Sequence, residues 1–171
     1  MLQRIQSVWL ALAVILSALA FYFPLAIYVL PDGQEILYKL IPEKMSIDAT
    51  SFQQQKCSIT LIILNCVVLV LSLITIFLYK NRQNQLKVLA IAFLALVAYT
   101  CVWFFYEEKA GLNDILTTWL QPEKIKSYTE SAKTNYGFAS YFPIMQMVLL
   151  VFARNGIRKD EKLVRSSEHL R

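Results

Sequence analysis

The stretch 59–79, ITLIILNCVVLVLSLITIFLY, decides the fold, because it contains no charged side chain and no histidine. A helix of about 20 apolar residues crosses the ~30 Å hydrocarbon core of a bilayer. Three further runs lack charged residues and are largely apolar; they cover residues 8–30, 88–106 and 136–153, and the last is the shortest and contains Pro143 and Gln146. The sequence therefore predicts a single membrane domain over 1–171, an all-α bundle of four transmembrane helices.

The composition argues against the common enzyme classes. Apolar residues make up 57% of the chain and charged residues only 17%, which is unlike an ordinary soluble domain. The three cysteines, Cys57, Cys66 and Cys101, have no close partner and no histidine nearby, so neither a zinc site nor a disulfide framework is indicated. The glycines are too far apart for a phosphate-binding loop, and the predicted spans hold no Asp, Glu, Lys, Arg or His. We therefore expect no enzymatic activity, no cofactor and no metal.

Charge predicts the orientation of the bundle. The N-terminus, the short connection 80–87 and the tail 154–171 together carry ten basic residues and three acidic ones. The two long loops, 31–58 and 107–135, carry seven basic and nine acidic residues. Because cytoplasmic segments collect Lys and Arg, both termini and the connection 80–87 are predicted to be cytoplasmic and the long loops to lie outside. This bias explains the basic pI without a nucleic-acid partner.

The first run has a second interpretation. Arg4, the apolar core after it and Ala18-Leu19-Ala20 together resemble a signal peptide with its cleavage site. The apolar residues continue to Leu30, however, which is long enough for a retained span. The mass of the purified chain distinguishes the two interpretations.

The outer loop 107–135 and the tail show helical patterns. A one-faced apolar stripe predicts a short amphipathic helix, either on the membrane surface or packed on the mouth of the bundle; it comprises Leu112, Ile115, Leu116, Trp119 and Leu120. The loop 31–58 begins with the turn signal Pro31-Asp32-Gly33 and otherwise reads as irregular. The tail has helix-forming composition and is predicted to extend the fourth helix into the cytoplasm.

Polar residues inside the predicted spans indicate where helices meet. Asn65 and Ser72 recur at seven-residue spacing in the second span, and Gln146 lies in the fourth. Helices in lipid associate through such groups, so we expect Asn65 and Gln146 to bond each other or the backbone. Pro24 and Pro143 each end a Tyr-Phe-Pro tripeptide and are predicted to kink the first and fourth helices near the outer mouth.

The two ends of the chain carry a family resemblance. The opening 1–10, MLQRIQSVWL, and the ending 158–166, RKDEKLVRS, followed by Leu170-Arg171, are similar to a Bacteroidota membrane-protein family described as domain of unknown function 4293. The resemblance implies four spans in the inner membrane of a Gram-negative cell, and it carries no activity or catalytic residue. It directs attention to one candidate surface for a partner or for lipid: Gln3, Arg4, Gln6, Arg158, Lys159, Lys162 and Arg165.

Two functional hypotheses follow. The first is a non-enzymatic scaffold or accessory subunit, whose basic cytoplasmic surface binds anionic membrane lipid, another membrane or cytosolic protein, or a second copy of the chain. The alternative is a small transporter or pore that uses Asn65, Ser72 and Gln146 together with the kinked outer mouth. Transport by the purified protein in liposomes separates the two.

Overall fold

The computed structural model describes residues 2–31, 33, 35–41, 58–119, 125 and 129–168. The protein is mostly helical, with a small sheet. A 3₁₀ turn, Leu78–Lys80, joins α2 to α3, and a π-helical turn, Trp103–Glu107, joins α3 to α4. The elements in chain order are α1 Leu2–Leu19, β1 Ala26–Val29, β2 Glu35–Tyr38, α2 Ile59–Phe77, α3 Arg82–Val102, α4 Glu108–Trp119, β3 Lys133–Tyr136 and α5 Phe138–Glu168.

Helices α1, α2, α3 and α5 pack as a bundle with two distinct ends. The buried cluster that contains Leu10, Val68, Leu89 and Ile157 brings together the middle parts of α1, α2 and α5 and the first two thirds of α3. A second cluster, with Ala20 and Trp103 among its members, lies where α1 and α3 end. We call the end that holds the strands and α4 the sheet end, and the opposite end, with the start of α1, the α2–α3 connection and the C-terminal part of α5, the basic end.

Two of the four predicted spans are confirmed as helices of sufficient length and apolar character to cross a membrane. They are Ile59–Phe77 and Arg82–Tyr106, while Gln6–Leu19 is apolar but shorter. The α2–α3 connection is tighter than the predicted segment 80–87, because α3 already begins at Arg82. Residues 82–87 precede the apolar run and extend α3 at its N-terminal end, because Arg, Gln and Lys have good helix propensity.

The first predicted span is wrong in its second half. Helix α1 ends at Leu19, well short of residue 30, and Ala26–Val29 form strand β1. Pro24 therefore does not kink a helix but lies in the segment between α1 and β1. Proline cannot donate to an i−4 carbonyl and disfavours helical backbone in the residue before it, which explains the change of direction here. Pro143, by contrast, does lie within α5.

A three-stranded antiparallel sheet, absent from the sequence prediction, joins the two long loops. The strand order is β2-β1-β3, with Ala26 paired to Tyr38 on one side and to Tyr136 on the other. Gly33 has φ +78° in the β1–β2 turn, where the sequence predicted a turn. Because β1 and β2 follow α1 whereas β3 precedes α5, the described parts of these two connections lie at the same end of the bundle.

Helix α4 packs down onto the sheet end. Leu112 and Leu116 are buried in the same cluster as Tyr38 and Trp103, which matches packing on the bundle mouth rather than an exposed position on a membrane surface. The remaining stripe side chains, at positions 115, 119 and 120, lie outside the described residues. Helix α5 begins at Phe138, after β3, and continues without interruption to Glu168, so the tail is an extension of the fourth helix.

Candidate functional site at the basic end

Exposed cations cover the C-terminal half of α5. Arg154, Arg158, Lys159 and Lys162 are all exposed, and within the described part of the chain none of them forms an ion pair. Arg154, Arg158 and Lys162 follow one another at four-residue spacing and therefore share one side of the helix. Lys87, one and a half turns into α3, is also exposed at this end. The basic end is thus a positively charged surface on more than one helix.

The predicted surface residues divide into three groups. Arg158, Lys159 and Lys162 are exposed as expected. Gln6 is only 6% exposed, so its place in a binding surface is corrected: it is an internal contact. The side chains at positions 3, 4 and 165 lie outside the described residues, although the backbone there belongs to α1 and α5.

A buried hydrogen bond joins the two chain ends. The Gln6 side-chain amide donates to the Asp160 carboxylate over 2.7 Å, and both residues are buried. Gly156 makes this close approach possible, because a Cβ at that position would lie 2.8 Å from Gln6 Cγ. The next residue, Ile157, is also buried against the bundle. The contact holds one side of the tail against α1 and leaves the basic side facing outward.

Substitution of Gln6 by methionine is expected to lower the free energy of unfolding by about 1.5–3 kcal/mol, because the buried Asp160 carboxylate loses its donor. Methionine keeps the unbranched shape next to Gly156. The double variant Gln6→Met/Asp160→Leu removes both polar partners and is expected to recover most of that loss. Denaturant unfolding in detergent micelles measures both. Additive losses in the double variant would show that the two side chains are not coupled.

A second polar cluster lies between α1, α2 and α5. Asn65 Nδ2 donates to the Ser17 carbonyl over 3.0 Å, and Gln146 Nε2 donates to Ser17 Oγ over 2.9 Å. All three residues are at most 3% exposed. The sequence left open whether the two amides bond each other or other groups. In the structure each amide donates a hydrogen bond to α1, and the two do not bond each other directly. Ser72 is also fully buried, and its hydroxyl has no hydrogen-bond partner in the described part of the chain.

The Tyr-Phe-Pro tripeptides meet at the sheet end. Phe23 and Phe142 form an edge-to-face pair with centroids 6.0 Å apart. The carbonyl of Pro24 accepts the Ala139 N–H, at the first turn of α5. These two segments therefore pack together and close the bundle at this end.

The sequence pattern of the family described as "Domain of unknown function (DUF4293)" matches residues 2–170. The chain belongs to this family. No curated protein and no solved structure shows a match to it. The DUF4293 match covers the helices and the sheet, and it assigns neither a reaction nor a ligand.

In this DUF4293 chain, sequence reasoning missed Asp160 and Gly156. Asp160 was counted only among the acidic residues of the tail, whereas the structure places it inside. A signal was present, because positions 157, 160 and 164 fall on one face of a helix at i, i+3 and i+7. An acidic residue on an otherwise apolar face indicates a buried partner, but the sequence does not show that this partner is Gln6.

Proposed function

We propose that the protein is a four-helix integral membrane protein of the cytoplasmic membrane and a non-enzymatic scaffold or accessory subunit. Its basic end lies in the cytoplasm and binds an acidic surface of a partner protein. The observation that carries the proposal is the row of exposed cations on α5, held in place by the buried contact of Gln6 with Asp160.

The distribution of side chains supports a membrane environment for all four bundle helices. The interior contains polar residues: Ser17, Asn65, Ser72, Thr75, Gln85, Ser140 and Gln146. The exterior of the same helices contains exposed large apolar residues, including Val8, Leu12, Ile15, Ile63, Val67, Val70, Ile91, Leu94, Val148, Val151 and Phe152. A soluble protein rarely exposes a contiguous apolar surface of this extent, whereas a bilayer solvates it.

The length of the cationic part of α5 favours a protein partner over lipid headgroups. From Arg154 to Lys162 the helix rises about 12 Å at 1.5 Å per residue. The headgroup layer on each side of a bilayer is only about 5–7 Å thick, the difference between a ~30 Å core and the 40–45 Å total. If Arg154 is level with the headgroups, Lys159 and Lys162 lie beyond them in water. Cations there are accessible to an acidic protein surface.

The polar cluster argues against the transporter alternative. A solute path needs polar side chains that face water. The side-chain amides of Asn65 and Gln146 instead donate hydrogen bonds to Ser17 of α1. Each residue is at least 97% buried, so neither faces an open channel. These bonds tie α2 and α5 to α1, which is how helices associate in lipid.

A pull-down with charge reversal tests the proposal. Tagged full-length protein, extracted in mild detergent, is expected to recover a stoichiometric partner from host cytosol at low salt. The variant Arg158→Glu/Lys162→Glu is expected to reduce recovery at least tenfold, roughly the effect of opposing like charges. The matched control is Lys109→Glu/Lys133→Glu, which reverses two exposed lysines at the sheet end and should leave recovery unchanged.

Binding should also weaken as salt rises, because exposed charges are screened beyond a Debye length of about 8 Å at physiological ionic strength. Absence of any stoichiometric partner would contradict the proposal. Equal recovery by the Arg158→Glu/Lys162→Glu variant would contradict it as well, since the partner would then bind elsewhere.

A further inference from the structure

A groove lies between α3 and α5, next to the basic end. Its volume is about 270 Å³, and its walls are Leu89, Ala90 and Phe93 of α3 with Leu150 and Val151 of α5. Arg154 lies at one end of the groove as its single charged lining residue among those described. The small side chain of Ala90 leaves the space open between the larger residues on either side.

The groove combines two chemistries that a phospholipid also combines. Its walls are aliphatic or aromatic, which suits an acyl chain. Arg154 is exposed and has no ion pair within the described part of the chain, so its guanidinium is available to a phosphate. Arginine binds phosphate with two parallel hydrogen bonds, which fixes the headgroup as well as attracting it.

The position of the groove also fits this occupant. Leu94 and Val151, at its open side, belong to the exposed apolar surface of the bundle. Arg158 and Lys159, one turn beyond Arg154, belong to the basic end. The groove therefore lies where an apolar exterior changes to a cationic one, and that is the level at which lipid headgroups meet acyl chains.

We propose that this groove binds one anionic phospholipid, with an acyl chain between Ala90 and Val151 and its phosphate on Arg154. The inference rests on the membrane placement in the proposed function but is independent of a protein partner. Binding of one lipid here would fill the gap between α3 and α5.

The inference is tested by measuring which lipid stays bound to the protein after extraction. The full-length protein is reconstituted in bilayers that contain phosphatidylcholine and phosphatidylglycerol, extracted in mild detergent and examined by native mass spectrometry. The wild type is expected to keep one phosphatidylglycerol. Arg154→Gln is expected to lower the preference for phosphatidylglycerol over phosphatidylcholine roughly fivefold, the effect of about one cation near the headgroup. Ala90→Phe fills the groove and should remove both lipids.

The control is Lys109→Gln, which removes an exposed cation at the sheet end that does not line the groove and should leave lipid retention unchanged. If Ala90→Phe fails to fold, the comparison of Arg154→Gln with the wild type still tests the inference. Arg154 is exposed, so its replacement should not disturb the fold. Equal retention in Arg154→Gln and wild type overturns the inference. So does a dimer that Ala90→Phe dissociates, since a second copy would then occupy the groove. Loss of partner binding in Arg158→Glu/Lys162→Glu bears only on the proposed function.

Discussion

Replacement of Gly137 by asparagine is expected to lower the free energy of unfolding by about 3 kcal/mol or more, the upper range for overpacking in a closed site. A Cβ on Gly137 would overlap the carbonyl oxygen of Pro24. The same residue donates its N–H to the Leu25 carbonyl over 2.8 Å, and Ser140 Oγ donates to that carbonyl as well. Because all of these neighbours are backbone or tightly bonded to it, the clash cannot be relieved by a rotamer change.

The matched control is the same substitution at Gly33. Nothing lies within 4 Å of a Cβ there, and asparagine tolerates the positive φ of 78°. Gly33→Asn is expected to change the free energy of unfolding by no more than about 1 kcal/mol. Denaturant unfolding in detergent micelles compares the two variants. Equal losses at both positions would show that β1 and α5 do not approach as closely as the structure has them.

Trp103→Ala is the second substitution with a large expected effect, a loss of about 3–5 kcal/mol. Trp103 is fully buried at the sheet end. Its ring lies 5.5 Å from that of Tyr38 at an interplanar angle of 31°, and 6.5 Å from Phe104. Removal of the indole therefore leaves a cavity where the turn between α3 and α4 supports the sheet, and we expect the sheet and α4 to loosen first.

Trp103→Phe separates packing from hydrogen bonding. The indole nitrogen Nε1 has no hydrogen-bond partner in the described part of the chain, so phenylalanine removes volume but breaks no bond. We expect a loss of roughly 1–2 kcal/mol, well below that of alanine. Hydrogen exchange at β1 and β2 shows whether the sheet is selectively exposed. A loss as large as that of Trp103→Ala would mean that the N–H has a bonding role in the fold.

The helices could be predicted from the sequence because their signals are local. An uncharged apolar run of bilayer length is enough to locate α2 and the larger part of α3. The seven-residue spacing of Asn65 and Ser72 likewise follows from helix geometry, and both side chains are buried in the structure. The tail could be read as an extension of the fourth helix from its composition alone.

The sheet could not be predicted because its pairing is not local. Strand β1 lies in an apolar run, AIYV, whose residues suit a strand or a span equally well by hydropathy. Its partner β3 is more than a hundred residues away, and periodicity carries no information about such a contact. Pro24 was the one local sign that the first helix ends early, but a proline is also tolerated as a kink in membrane helices.

The contact between the chain ends was also beyond sequence reasoning. The sequence predicts Gln6 to lie on a binding surface, because it belongs to the N-terminal stretch that carries the family resemblance and is predicted to be cytoplasmic. The structure buries it because Gly156 lets α5 approach and Asp160 accepts its amide hydrogen. Side-chain pairs of this kind depend on how two distant helices are placed in register, which no single stretch of sequence encodes.

The central claim is that four helices cross the membrane, with the basic end on one side and the sheet on the other. Single cysteines at Lys133 and Lys159, each in a Cys57→Ser/Cys66→Ala/Cys101→Ala background, can be labelled with a membrane-impermeant maleimide. In spheroplasts with an intact cytoplasmic membrane, Lys133→Cys should react from outside, and Lys159→Cys only after permeabilisation. If only α2 and α3 crossed, both positions would lie on the same side. Equal labelling of both cysteines without permeabilisation would contradict the account.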